Sequence, residues 1–448
     1  MFILKDAKVV TGDGKTMHER ASVLVDRGRI VDVVVGTLAQ GTLEQAKRVF
    51  DCAGKLVIPG IINHHTHGSH FGPIWPSASP PPTEDKMLEY TDRHLLGGTT
   101  TILNVCGFAT VEDVAAATGT HPLRVKTATS YLPQSLLAAQ TVDGKGFSPR
   151  HKGVTMEQQL KAGTVAIGEI GGGMTLGGGG QEYHFIPIAV KEATGKTIEP
   201  HQARKLKEAV LGRFADPADF DAKATAMTLH EIGLDKDITV ERAKEIIVNT
   251  VMPCLGPALK GFEEAALEAK KHNMHAIFHN APQSMRMMLK TAEIGGELII
   301  AGHSNHSNFF AEEAITQARE LRKRGAVIDV ATLDAWGAKR LGVDPELFYE
   351  FYVQGLVDLV STDFAGGYFD PVIVGVEQAY RAKAASLPTI VATATYNVAK
   401  TFPGLADERG LIAREKIADL VVTDPVYISK VDRVFIGGKM VVENGKRC

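Results

Sequence analysis

The run LVIPGIINHHTH, Leu56 to His67, decides how this chain is read. An apolar segment passes a Pro-Gly pair, resumes, and ends in histidines. Side chains at i and i+2 of a strand point to the same face, so His65 and His67 leave it side by side. His64 points to the opposite face and reads as packed or hydrogen-bonded. A barrel of parallel strands carries its reactive groups at the C-terminal strand ends, where this pair falls.

Working outward, seven more apolar runs alternate with helical text. They are TTTILNV (Thr99 to Val105), RVKTATSY (Arg124 to Tyr131), TVAIGEI (Thr164 to Ile170), MHAIFHN (Met274 to Asn280), ELIIAGHS (Glu297 to Ser304), AVIDVAT (Ala326 to Thr332) and VDLVSTDF (Val357 to Phe364). EEAALEAKKHN (Glu263 to Asn273) and AEEAITQARELRKRG (Ala311 to Gly325) are plain helices between them. Strand and helix in alternation predict an α/β fold, a (β/α)8 TIM-like barrel over 56–404. The two chain ends read differently. FILKDAKVV, SVLVDRGRIVDVVV and RVFDCAGKLVIP at one end, and ADLVVTD and VDRVFIGGKMVVENGK at the other, alternate apolar and polar residues between turn signals. They predict a small β-sandwich domain of antiparallel strands, built jointly from 1–55 and 405–448.

Strands four and five stand about 100 residues apart, a gap too long for a bare connection. The segment, about 171–273, opens with GGGMTLGGGG and continues with helical text near Gln202 to Arg213, Asp216 to His230 and Val240 to Val251. It predicts a helical insertion over the barrel mouth. The glycine run lacks the GK[ST] of a phosphate loop. It reads as a hinge or lid, or else as a surface loop.

Four further strands end in groups suited to a metal. Glu169 closes TVAIGEI, and a buried carboxylate there needs a partner or a cation. His279 closes MHAIFHN, His303 closes LIIAGHS, and Asp363 closes LVSTDF. His306 competes with His303, while His275, at the start of its strand, reads as structural. Imidazoles and carboxylates suit two divalent ions, Zn2+ foremost, with Fe2+, Mn2+ and Co2+ as alternatives. His65, His67 and Asp363 would hold one ion, His279 and His303 the other, with Glu169 between. Two such cations can lower a water's pKa from about 15.7 to near 7 and polarise a carbonyl. Asp363 can take the water's proton and pass it to a departing nitrogen.

Composition closes other routes. The formal net charge is −3, from 49 basic and 52 acidic residues, so nothing argues for nucleic acid or an anionic membrane. No run approaches 18 apolar residues, and the first residues lack a signal-peptide pattern. Four scattered cysteines predict no disulfide framework and a reducing, cytoplasmic setting.

PGIINHHTH resembles the PGxIDxHxH of the amidohydrolase superfamily, with Asn63 where Asp is usual. GHS, STDF and GLIAREKIADLVVTD (Gly410 to Asp424) fit the same family. Many members bridge their metals with a carbamylated Lys on strand four. This chain has Glu169 there, in a Gly-Glu-Ile-Gly run similar to that of enamidase, which opens a cyclic enamide. Lys126 and Lys161 are poorly placed to be carbamylated. The resemblance implies C–N bond hydrolysis of a cyclic amide, lactam or enamide. The alternatives are N-acyl deacetylation or ring deamination on the same fold. Less favoured are a non-catalytic scaffold and a non-haem iron redox enzyme. Tyr183, His184 and His306 are candidate substrate contacts, with Asn305 and Trp336 behind them. The implied partner is a small molecule, and the implied assembly a homo-oligomer.

Overall fold

A computed structural model describes residues 1–119, 121–337, 345–364 and 370–448. Eight parallel strands form one sheet: β1 (Ile61–Thr66), β2 (Thr99–Asn104), β3 (Arg124–Thr129), β4 (Ala166–Ile170), β5 (Ala276–His279), β6 (Ile299–Gly302), β7 (Val327–Ala331) and β8 (Leu359–Ser361). Each pairs with its sequence neighbour, and a parallel bridge from Thr66 to Phe364 brings β1 back beside β8. Asn63 fastens that seam. Its amide donates to Thr362 Oγ1 (2.7 Å), and its oxygen accepts the Thr362 N–H (3.2 Å). The fold is the expected TIM-like barrel with a separate sheet from both chain ends.

The decisive run is two strands, not one. Leu56–Pro59 belongs to the outer sheet, pairing with Phe2–Val10 on one side and Leu420–Thr423 on the other. The chain then changes sheet at Gly60 to become β1. A side chain at Gly60 would stand 2.4 Å from Thr100 Oγ1 and 3.0 Å from Asp419 Cβ. Glycine is what lets the two sheets approach here. The outer sheet has nine strands and is mixed rather than antiparallel throughout, because Phe2–Val10 runs parallel to both Leu56–Pro59 and Arg48–Asp51. Its core joins Val9, Val23, Val25 and Phe50 to Leu420, Val422 and Phe435.

The insertion is helical and carries its own apolar core of Ile186, Val190, Leu206, Val210, Ile247 and Val251. Helical text read as two separate pieces is one 33-residue helix, Val240–His272, which runs through Pro253 and Pro257. Proline removes a helical hydrogen bond, and both prolines lie between the two pieces. Packing overrides that preference. Val251 lies in the insertion core, while Leu255, Phe262, Ala265 and Ala269 lie in the barrel's. One rigid rod therefore ties the insertion to the barrel.

Candidate functional site

The strand ends converge as expected. His65 and His67 project from β1 with ring centroids 5.5 Å apart. Glu169, near the end of β4, lies among four imidazoles. Its Oε1 is 2.8 Å from His279 Nδ1 and 3.4 Å from His303 Nε2. Its Oε2 is 3.3 Å from His67 Nε2 and 3.9 Å from His65 Nε2. Asp363 Oδ1, just past β8, stands 3.3 Å from His65 Nε2 and 3.4 Å from His67 Nε2. All six residues therefore meet in one small volume.

Two of them hold backbone that L-residues avoid. His303 has φ 36° and Asp363 φ 44°. Such conformations cost about 1–3 kcal/mol each and persist where the surroundings impose them. The imposing contacts are visible. Asp329, fully buried on β7, accepts the His303 N–H through Oδ2 (2.8 Å) and the Ser361 hydroxyl (3.1 Å). The Thr362 hydroxyl receives the Phe364 N–H (3.2 Å) just beyond Asp363. His64 serves the same frame. It faces away from the site, with Nε2 3.1 Å from Asp329 Oδ1.

Charge explains why these groups are held together. Burial raises the Glu169 carboxyl, but hydrogen bonds with His279 and His303 and the nearby rings of His65 and His67 hold it well below the usual carboxylate range. Burial likewise opposes the charge of Asp363, and the His65 charge with the His67 hydrogen bond lowers it all the same. His303 moves the other way. Burial works against its proton, yet Glu169 and the Asp363 field raise it to about 10. His279 is lowered by burial and by the charge of His303. The site is a pair of buried carboxylates kept ionised by the imidazoles around them.

Whether metal ions fit can be tested on the unused atoms. His65 Nδ1 and Nε2, His279 Nε2 and His303 Nδ1 are buried without a hydrogen-bond partner. A buried polar atom left unpaired costs about 1–3 kcal/mol, so a cluster of them calls for a ligand. Two three-residue groups have donor atoms within 4.8 Å of one another: His65, His67, Asp363, and His65, Glu169, His303. The first matches the expected trio. The second draws on His65, while His279 turns Nδ1 to Glu169 and leaves Nε2 free.

The other candidates fall into place around this centre. The His306 ring lies 5.2 Å from His279 and 5.3 Å from His303, and its Nδ1 accepts the Asn308 N–H. Burial and the charges of His279 and His303 depress it well below the usual histidine range. Asn305 bonds β7 instead of facing a substrate, donating to the Ala331 carbonyl and accepting the Ala331 N–H. Trp336 packs on Phe348. Tyr183 is half-buried, whereas His184 is exposed against Phe185. Their segment, Gln181–Phe185, is a π-helix, and it buries Gln181 and Glu182. Lys161 is exposed, and Lys126 lies outside the cluster on β3.

The glycine run is packed rather than a surface loop. A side chain at Gly172 would stand 2.9 Å from Glu169 Oε2, and one at Gly173 3.4 Å from His279 Cε1. Backbone here lies directly against the site, which only glycine permits. Behind it, Glu182 and Lys207 form a fully buried ion pair, 2.5 Å apart, that fastens the insertion near Asn308.

Sequence reasoning overlooked Cys106 and Asp334. Cys106 follows β2, with Sγ 3.4 Å from His67 Nδ1. Burial raises its thiol, but the charges of His70 and His67 bring it down to about 5. Asp334 follows β7, accepts the Ser307 N–H (2.9 Å) and is pushed up to about 7 by burial. The signal for both was position: each follows a barrel strand at its C-terminal end.

Comparison with known proteins follows the geometry. A scan against protein-family models finds no match. The chain is 35% identical over 102 residues to an N-substituted formamide deformylase of Arthrobacter pascens, spanning 21% of this chain and 19% of that protein. It is 33% identical over 118 residues to a D-hydantoinase of Ralstonia pickettii, spanning 25% of this chain and 22% of that one. The match thus spans about a fifth of these curated relatives. In fold, the chain is similar along its whole length to the β-aspartyl dipeptidase of Fervidobacterium islandicum, with TM-score 0.56, 15% identity and 97% of that chain covered. The sequence likeness is thus partial, whereas the likeness of fold runs the full length of the chain. The six candidate ligands lie at or just past the C-terminal ends of barrel strands, the part of such a fold where chemistry resides.

Proposed function

We propose that this chain is a member of the amidohydrolase superfamily and hydrolyses a C–N bond of a cyclic amide, lactam or enamide, using two divalent cations held by His65, His67, Glu169, His279, His303 and Asp363. The observation that carries the reading is the set of buried, unpartnered imidazole nitrogens around two depressed carboxylates. Imidazole with carboxylate is a donor set suited to zinc. Bound there, such cations supply Lewis acidity, lowering a water's pKa towards about 7 and drawing electron density from a carbonyl.

The chain's own residues do the rest. Glu169, with one oxygen towards each histidine pair, holds the two halves at a fixed separation. Asp363 is the general base and then the general acid. Its side chain is 14% exposed, against 5% or less for the other five, so it faces the mouth from which substrate arrives. It takes the attacking water's proton at a carboxylate oxygen and returns it to the leaving nitrogen. The packed backbone at Gly172 and Gly173 and the insertion behind it exclude bulk water, which strengthens each electrostatic contact inside.

The Gly168-Glu169-Ile170-Gly171 run and the likeness to a D-hydantoinase support a ring substrate. The likeness to a formamide deformylase supports the second reading, N-acyl cleavage. The decisive experiment is elemental analysis of the purified protein, followed by turnover of a panel of lactams, imides and N-acyl compounds. Ring opening supports the first reading, and release of a free acid the second. The joint variant His65→Ala, His67→Ala should lose metal and turnover together; retained turnover rejects the site.

A further inference from the structure

His67 has a different neighbour at each nitrogen. Nε2 faces Glu169 and Asp363, at 3.3 and 3.4 Å. Nδ1 faces the sulfur of Cys106, at 3.4 Å, inside the barrel wall. The sulfur is held in place from several directions. The Trp75 N–H donates to it (3.3 Å), and the Cys106 N–H donates to Asn104 Oδ1 (3.3 Å). Asn104 is itself fixed by donating to Thr127 Oγ1 on β3 (2.9 Å). His70 lies against the same sulfur, its own Nδ1 accepting the Gly72 N–H (3.1 Å). Cys106 and His70 are fully buried, so no solvent competes for these contacts.

We infer that Cys106 is a positioning residue for His67, its sulfur accepting the Nδ1 proton so that the Nε2 lone pair is presented to a metal ion. An imidazole that ligates through one nitrogen uses the other as a donor, and the acceptor, in most sites a carboxylate or carbonyl, fixes its tautomer and ring angle. Here a sulfur occupies that place. The arrangement explains the contacts at the other nitrogen. Without metal, that nitrogen bonds the two carboxylates through a proton, and a cation held there would take the proton's place. Sγ is on the Nδ1 side of the ring, away from the carboxylates, so it orients a ligand and is not one itself. The inference rests on the metal-site reading above.

The test is zinc affinity, measured by chelator competition on the full chain, for the wild type, Cys106→Ala and Cys106→Ser. Removing such an orienting partner weakens metal binding by about 10- to 100-fold. Cys106→Ala should show that loss, and Cys106→Ser, which keeps an acceptor, should recover part of it. Metal-free melting curves separate this from a packing defect, which would lower the melting temperature without the graded affinity. Cobalt substitution adds a spectroscopic readout: the wild type should lack a sulfur-to-cobalt charge-transfer band. Wild-type zinc affinity in Cys106→Ala overturns the inference, and so does that band. Should Cys106→Ala fail to fold, undiminished affinity in Cys106→Ser overturns it equally. A wild type that binds no zinc would instead defeat the metal-site reading itself.

Discussion

Replacing Gly172 with alanine adds one methyl group at the edge of the site. The backbone there is not left-handed, so alanine meets no conformational penalty. The difficulty is space. The new carbon would stand 2.5 Å from Pro76 Cγ, 3.0 Å from Pro76 Cδ and 2.9 Å from Glu169 Oε2, where ordinary contact begins at 3.4 Å. Reaching ordinary contact requires about 0.9 Å more room from the proline ring and about 0.5 Å more from the carboxylate. The ring is rigid and buried, while the carboxylate turns on a flexible side chain, so Glu169 takes much of the strain. Overpacking of this kind costs about 1–3 kcal/mol. A displaced Oε2 also leaves its 3.3 Å contact with His67 Nε2. Since about 1 Å of misplacement can cost about 100-fold in rate, half of that predicts about a tenfold fall in turnover. Gly153, exposed with no heavy atom within 4 Å of an added carbon, is the matched control, and its alanine variant should be neutral within about 0.5 kcal/mol. Metal content, turnover and thermal melting of the two variants decide the matter. A Gly172→Ala protein that matches the Gly153→Ala control in all three refutes the claim that the glycine run forms the wall of the site.

Asp363→Asn should retain most of the bound metal yet lose on the order of 10²-fold or more in turnover, because the amide cannot shuttle a proton; near-normal turnover would remove Asp363 from that role. In the metal-free protein, His303 holds its proton up to about 10 when folded, against 6.5 for the free side chain. Its contribution to stability is therefore complete below pH 6.5 and is lost as pH rises through 10, at up to about 1.4 kcal/mol per pH unit within that window. Metal must displace that proton, so zinc affinity should climb across the same range; melting temperature and affinity both flat from pH 7 to 10 would count against it. Lys207→Met strands the Glu182 carboxylate in the protein interior and should destabilise by about 3–5 kcal/mol, whereas adding Glu182→Leu should restore most of the loss, read by denaturant unfolding. An equal loss in the single and double variants would show that packing, not charge, is what matters there.

Much of the barrel was legible because each strand declares itself twice, by a short apolar run and by the polar residue that stops it. His279, His303, Glu169 and Asp363 each end such a run, and all four reach the same volume. The features that were missed share a cause: tertiary contacts overrode a local signal. Leu56 to His67 looks continuous because its apolar pattern does not register that Gly60 passes between two sheets. Val240 to Val251 and Glu263 to Asn273 read as separate helices, yet burial of residues around Pro253 and Pro257 in two cores keeps one rod intact. His184 stood out as a titratable group beside the glycine run. The π-helical turn instead buries Gln181 and Glu182, a rotation that the ordinary 3.6-residue period does not foretell. Cys106 carried no partner in its neighbourhood of sequence, since His67 lies on another strand.

The sheet change at Gly60 bears on the order of assembly. Leu56–Pro59 precedes the first two imidazoles, yet the strand that flanks it on the side away from Phe2–Val10, Leu420–Thr423, follows the whole barrel in sequence. Without that partner, Leu56–Pro59, which leads directly into the strand carrying His65, keeps one edge unpaired. Removing Leu420–Thr423 should therefore loosen the support of the candidate site, although none of its six residues lies on that strand.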